Sequence, residues 1–442
     1  MRHTTKLTEG PILNSLFLFA LPMMAGNLLQ QVYNIADSMI VGKYVSANAL
    51  AAVGSAYSLM TFLTSLIIGL CMGSGALFSA SFGAGRTEHL KKDIWLSFCF
   101  VGSVTALILL LVFPGTDLIL RLLQVPAEVY GLLRLYVRIV FCGIPFVALY
   151  NFCAYLLRAL GNSAGPLYFL AASSILNVLL DLLAVIFLGK GVGGAAAATL
   201  LAQCLSGGGL LIYTLWLYPE LRLSYTDLLW DRQRFGHILT NDLACALQQS
   251  VMNFGILMIQ GLVNSFGAVV MAAFAAAVKI DTFAYMPAQE FGNAYSIFIS
   301  QNFGGGQKTR IRKGTRLAFL ASASFCLLVS VAIYLTAGDL MGLFVQKSET
   351  AIIAEGIRYL RIEGACYIGI GCLFLWYAYF RGIQKPGISL VLTIVSLGSR
   401  VLISYSLAPR CFLGVVVIWA AIPIGWGLAD LAGLFFYRKN QI

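Results

Sequence analysis

Along most of this chain the apolar positions run on without a break, and they do not alternate with polar ones. From Leu96 to Phe113, for example, every residue is apolar or small and none is charged. A half-buried strand shows period-two alternation, and a membrane barrel repeats it over about ten residues per strand. A continuous run of about 20 apolar residues instead predicts a helix that crosses a bilayer. Polar breaks then divide the chain into twelve spans. We place six at 13–42, 50–80, 94–114, 130–157, 165–188 and 192–217, and six at 238–264, 268–301, 316–336, 352–380, 388–407 and 412–436. Helices of this kind satisfy their own backbone hydrogen bonds, which lipid cannot do for them.

The two sets of six resemble each other. Phe82-Gly83-Ala84-Gly85-Arg86 returns as Phe303-Gly304-Gly305-Gly306-Gln307, and Tyr136-Val137-Arg138 returns as Tyr359-Leu360-Arg361. Gln30-Gln31 has an echo in Gln248-Gln249. The spacing is about 221 residues, the mark of an internal duplication. Six spans per copy is an even number, so both copies enter and leave on one side, and the repeat is parallel. The predicted fold is an all-α integral membrane protein with twelve transmembrane helices in two six-helix bundles. We divide it into an N-lobe over 1–219, a linker over 220–237 and a C-lobe over 238–442.

Composition agrees: 60% of residues are hydrophobic and 11% charged. The formal net charge of +11 raises the question of nucleic acid, but the distribution answers it. The segments assigned to the inside hold Lys91, Lys92, the run Lys308, Arg310, Arg312, Lys313 and Arg316, and most other basic residues. The outside loops hold only Lys43, Arg121, Lys190, Lys347 and Arg410. That asymmetry is a topology signal with both termini in the cytoplasm, so no nucleic-acid partner is expected. The ten cysteines show no paired metal-ligand spacing, and we expect neither a disulfide framework nor a metal cluster. No G-x-x-x-x-G-K-[ST] loop is present and no loop has room for an ATPase domain, so no nucleotide cofactor is expected and no enzyme activity. His3, His89 and His237 all fall in cytoplasmic segments.

Prolines at Pro22, Pro145, Pro287 and Pro423 lie within spans, where each removes a backbone hydrogen bond. A static kink is the plain reading. Pro22, one helix segment before Asp37, is the best candidate for a hinge. Glycine runs such as Gly69–Gly75 and Gly207–Gly209 are read as close helix packing.

Ionisable groups inside a span are expensive and mark function by default. Asp37 lies late in the first span. Asn177 and Asp181 are four apart in the fifth and share a helix face. Neither acid has a basic neighbour in its own span. A buried carboxyl without a partner takes a proton or holds a cation, and an oxygen set of this kind suits a hard cation such as Na+. The acids have no counterpart in the second copy: Asp181 aligns with Leu402, Ile403 or Ser404. Ion coupling is therefore expected in the N-lobe. The second copy has its own charges, Lys279, Asp281 and Glu290 in the eighth span and Arg400 in the eleventh near the counterpart of Asn177. Arg400 is a candidate counter-ion for Asp281 or Glu290. Glu363 and Asp430 are read as near span ends and exposed to headgroups. Tyr33, Tyr285, Met23, Met24, Met252, Met258 and Met286 are candidates to line a cavity for organic cations.

At this point the chain resembles the multidrug and toxic compound extrusion (MATE) transporters, in particular their DNA-damage-inducible F-like bacterial and archaeal branch. The likeness runs over nearly the whole length. It is carried by Ala20-Leu21-Pro22-Met23-Met24, Asn34-Ile35-Ala36-Asp37-Ser38, Phe82–Arg86, Arg158-Ala159-Leu160-Gly161-Asn162, Leu176-Asn177 to Asp181, Gly194–Thr199 and Gln301-Asn302-Phe303-Gly304. The resemblance implies a V of two lobes that rock, and multidrug efflux in exchange for H+ or Na+. It implies a cation site at Asp37, Asn177, Asp181 and Thr199, with Asn151 lining the same cavity and Na+ as the possible metal there. The partners it implies are small-molecule drugs or organic cations and membrane lipids, with the protein a monomer in the bacterial inner membrane. The family's other branch places acids in its seventh and tenth spans. Here the seventh offers Gln248 and Gln249 in its interior, so that second site is not expected. The alternative is a flippase for lipid-linked precursors, which requires Arg residues in the first-half cavity. Arg138 and Arg158 lie near span ends instead.

Overall fold

The computed structural model describes residues 6–408 and 414–440, apart from the side chains of Ala47 and Thr226. Arg2, His3 and Arg410 lie outside the described residues. Those described are helical, with no strand among them. The first half contains α1 (Ile12–Tyr44), α2 (Ala47–Gly83), α3 (Thr87–Leu122), α4 (Ala127–Phe141), α5 (Ile144–Ala159), α6 (Ala164–Asp181) and α7 (Gly191–Leu217). The second contains α8 (Arg232–Asn264), α9 (Ala268–Gly304), α10 (Lys308–Gly342), α11 (Thr350–Gly364), α12 (Tyr367–Gly382), α13 (Pro386–Leu407) and α14 (Val415–Lys439).

Ten of these are long and apolar enough to cross a bilayer, and twelve spans result when two bent pairs are each taken as one. The bent pairs are the predicted fourth and tenth spans, which are broken rather than straight. α4 and α5 meet at 45°, α11 and α12 at 51°. At the first break Gly143 leaves no side chain where Gln203 of α7 presses in. Pro145 follows in the opening turn of α5, where its missing N–H costs little, so it starts a helix instead of kinking one. The fifth span is also irregular. α6 passes at Asp181 into a six-residue π-helical turn, Leu182–Phe187, a geometry concentrated at functional sites.

The chain forms two compact units, and their boundaries differ from the lobes expected at 1–219 and 238–442. One unit comprises Lys6 and Leu21–Ala246; the other comprises Leu7–Ala20 and the chain from Leu247 onward. The opening turns of α1 belong to the second unit and the opening turns of α8 to the first. Pattern reading assigns whole helices to lobes, so it misses helices that change unit partway.

In the first unit α2 is central, packed against α3, α4 and α5. Its glycines admit α8: a Cβ on Gly69 would stand 2.5 Å from Ala246 Cα, and one on Gly73 would stand 2.7 Å from Asp242 Cα. Such close approach replaces hydrophobic drive, which is absent between helices in lipid. Ser74 donates to Asp242 Oδ2 across the same contact at 2.6 Å. In the second unit α9 packs against α10, α11 and α12, and Arg381 donates to Ser296 Oγ and Asn293 Oδ1 at 2.9 and 3.1 Å. The leader before α1 is held in that unit. Arg310 donates to the carbonyls of Leu7, Glu9 and Gly10, and Leu7 is fully buried. The connection between the copies contains two 3-10 turns, Pro219–Leu221 and Tyr225–Leu228. The second is closed by a reciprocal Ser224–Asp227 capping box.

Candidate functional site

Four helices of the first unit bring polar groups to one place. α1 supplies Asp37, 8% exposed, with Tyr33 one turn before it; α6 supplies Asn177 and the fully buried Asp181. The two carboxyl groups lie within hydrogen-bonding reach of each other. From α4, Tyr136 brings its hydroxyl within reach of Thr199 on α7, close to both acids, and Tyr33 is close to both as well. Thr199 Oγ1 donates to Ala195 O at 3.1 Å, which leaves its lone pairs for the site. Asn151, on α5, turns its amide to Val147 O of its own helix at 2.8 Å, and no described contact joins it to the acids.

The first-unit site is short of donors and of positive charge. Asp37 Oδ1, both carboxyl oxygens of Asp181 and both polar atoms of Asn177 are buried without a hydrogen-bond partner. Among the described residues neither acid forms an ion pair. Two buried carboxylates cannot stay charged side by side unless a proton or cation lies between them. The carboxyl, amide and hydroxyl oxygens fit a proton or Na+. Of the residues expected here, the structure assembles Asp37, Asn177, Asp181 and Tyr33, with Thr199 joined through Tyr136. The helix positions of Tyr136 and Tyr359 were legible as a repeated Tyr-x-Arg corner, but their role beside acids was not.

The second unit has an acid pair of its own. Tyr367 Oη donates to Asp281 Oδ1. The Asp281 carboxyl is within reach of Glu363 and of Tyr359, and Arg400 acts on both carboxyls by charge. Glu363 is 4% exposed, not at the headgroups as its span-end position implied; α11 packs against α9 and sets it beside Asp281. Arg400 therefore serves Asp281 and Glu363, not Glu290. Glu290 lies apart, accepting from Asn293 at 3.3 Å, and Lys279 is exposed. Met286 is buried and Met252 half-buried, with no described contact to the acids. The predicted seventh span holds a further acid that sequence reading passed over: Asp242, fully buried with Ser74.

Two repeated helical units with acid pairs buried among apolar spans describe a multi-pass membrane transporter. The MatE family model matches residues 22–183 and 244–406, once in each copy of the repeat, and the chain belongs to this family of multidrug efflux transporters. It is 30% identical to the probable multidrug resistance protein YpnP of Bacillus subtilis (strain 168), over 98% of this chain and 96% of that one. It is 27% identical to the probable multidrug resistance protein YoeA of the same strain, over 99% and 97%. Among solved structures, a MATE transporter crystallised in a bent conformation superposes with a TM-score of 0.92 at 25% identity, over 99% of this chain and 97% of that one.

Proposed function

We propose that this chain is a secondary antiporter of the DNA-damage-inducible F-like branch. It exports amphipathic organic cations from the bacterial cytoplasm in exchange for H+ or Na+, acting as a monomer with both termini inside. The observation that carries this reading is the Asp37–Asp181 pair: two buried carboxyls in reach of each other, with unpartnered oxygens and, among the described residues, no ion pair. Asn177 and Thr199 would complete the oxygen set for Na+, or orient the pair around a proton. Ion entry neutralises the pair and favours one packing of the helices that supply it; ion release favours another. A ligand shifts a conformational equilibrium only through such differential binding. Pro22 supports a bend in α1, since it lies just past the residue at which that helix changes unit.

Dye efflux in inverted membrane vesicles tests the reading, with a pH gradient or a Na+ gradient imposed alone. Transport of an ethidium-like cation under one gradient and its loss in Asp37→Asn and Asp181→Asn is the expected result. Transport that needs neither gradient would overturn antiport, and full efflux in both variants would overturn the site.

A further inference from the structure

Arg400 stands where the first unit has Asn177. The backbone sets this register. α5 and α12 end in the same turn, with Gly161 and Gln384 at φ 87° and 62°. In both, the next amide, of Asn162 or Lys385, donates to the carbonyl five residues back at 2.8 Å, that of Leu157 or Phe380. Counting on from that turn, Asn177 corresponds to Arg400 and Asp181 to the buried Ser404; counting back, Tyr136 corresponds to Tyr359. Each unit thus sets a corresponding tyrosine beside two buried carboxyls, Asp37 and Asp181 in one, Asp281 and Glu363 in the other. The acids themselves come from non-corresponding positions. The groups facing the second pair are Tyr285 of α9, Tyr359 of α11, Tyr367 of α12 and Arg400 of α13.

Charge separates the two sites. A guanidinium stays protonated under all working conditions. Two carboxyls that retain one shared proton are already neutral beside one guanidinium, whereas the same pair beside an amide must recruit a further cation. Arg400 makes no ion-pair contact with either acid, and its Nε is buried without a partner. It acts on both carboxyls by charge and is not locked to one of them.

We infer that Arg400 is a built-in cation: its guanidinium fills in the second unit the role that exchangeable H+ or Na+ has in the first, so the Asp281–Glu363 pair is closed to monovalent cations while Arg400 is present and opens to them when it is removed. The inference rests on the reading of Asp37 and Asp181 as the ion site.

The test uses purified full-length protein with Asp37→Asn and Asp181→Asn in place, so that the Asp37–Asp181 site cannot respond. Binding of radiolabelled Na+ at alkaline pH and proton uptake on acidification are both measured. With Arg400 native, no saturable Na+ binding and no proton uptake at this pair are expected; either one, if abolished by Asp281→Asn, overturns the inference. Adding Arg400→Gln is expected to raise cation uptake from nothing to about one Na+ or one proton per protein, and Glu363→Gln to remove that gain. Arg400→Lys keeps the charge and is expected to gain nothing. A folded Arg400→Gln protein with no gain of either cation also overturns the inference; should that variant not fold, the native-Arg400 arm decides alone. If the protein with its first-unit acids intact binds neither cation, the proposed coupling site fails while these arms keep their meaning.

Discussion

The carboxyl groups of Asp37 and Asp181 come within reach of each other although they belong to α1 and α6 and are separated by most of the first unit's sequence. A pair that shares one ion acts as one group. Asp37→Asn and Asp181→Asn are therefore each expected to reduce ion-driven dye efflux by roughly tenfold or more, with the double variant no worse than either single one. Efflux rates in vesicles, at protein levels matched by immunoblot, check this. Losses that multiply would mean two independent sites.

Tyr136 links the pair to Thr199. Removing its hydroxyl in Tyr136→Phe keeps the ring that packs in the core and deletes one polar contact worth about 1 kcal/mol. We expect efflux at saturating gradient to fall by less than in the acid variants, with the ion concentration for half-maximal rate shifted several-fold. An unchanged ion dependence would remove Tyr136 from the site.

Ser74 donates a hydrogen bond to the Asp242 carboxyl, which is fully buried where α2 and α8 approach closely. Ser74→Ala leaves that carboxyl without it, at a cost of about 1–3 kcal/mol. Gly69→Leu forces α2 and α8 apart and is expected to cost more. Thermal unfolding of the protein in detergent reads both, and a midpoint unchanged in Ser74→Ala would show that the hydroxyl contributes nothing there.

Arg310 holds three carbonyls of the leader backbone through one guanidinium. In Arg310→Ala the carbonyls of Leu7, Glu9 and Gly10 lose that donor, and hydrogen exchange across 6–12 is expected to speed up by at least about tenfold, because local opening becomes easier. Exchange in α12 serves as the internal control and is expected to stay as it was.

What was legible in the sequence is what periodicity and charge carry. Twelve spans, the duplication, and the candidacy of Asp37, Asn177 and Asp181 all follow from residues met in order along the chain. What was not legible depends on helix packing and on close approach. Glu363 reads as a span-end residue because nothing local shows that α11 packs against α9, which sets it beside Asp281. Asp242 reads as part of a polar helix start, because nothing local reveals that Gly69 and Gly73 let α2 approach it. Tyr136 reads as a repeated corner because its neighbours, Thr199 and the two acids, come from three other helices. Each of these misses concerns a partner distant in sequence, and one-dimensional patterns cannot supply it.

The division of α1 and α8 between the units bears on how such a chain can be cut. A fragment ending at the linker would carry residues 7–20, which pack with the other fragment, and would lack 232–246, which pack with its own. Split at Pro219, each piece is expected to be incomplete alone and to recover only on co-expression, like two subunits that have exchanged arms. A cleaner split would need two cuts, near Ala20 and near Ala246, at the residues where the helices change allegiance.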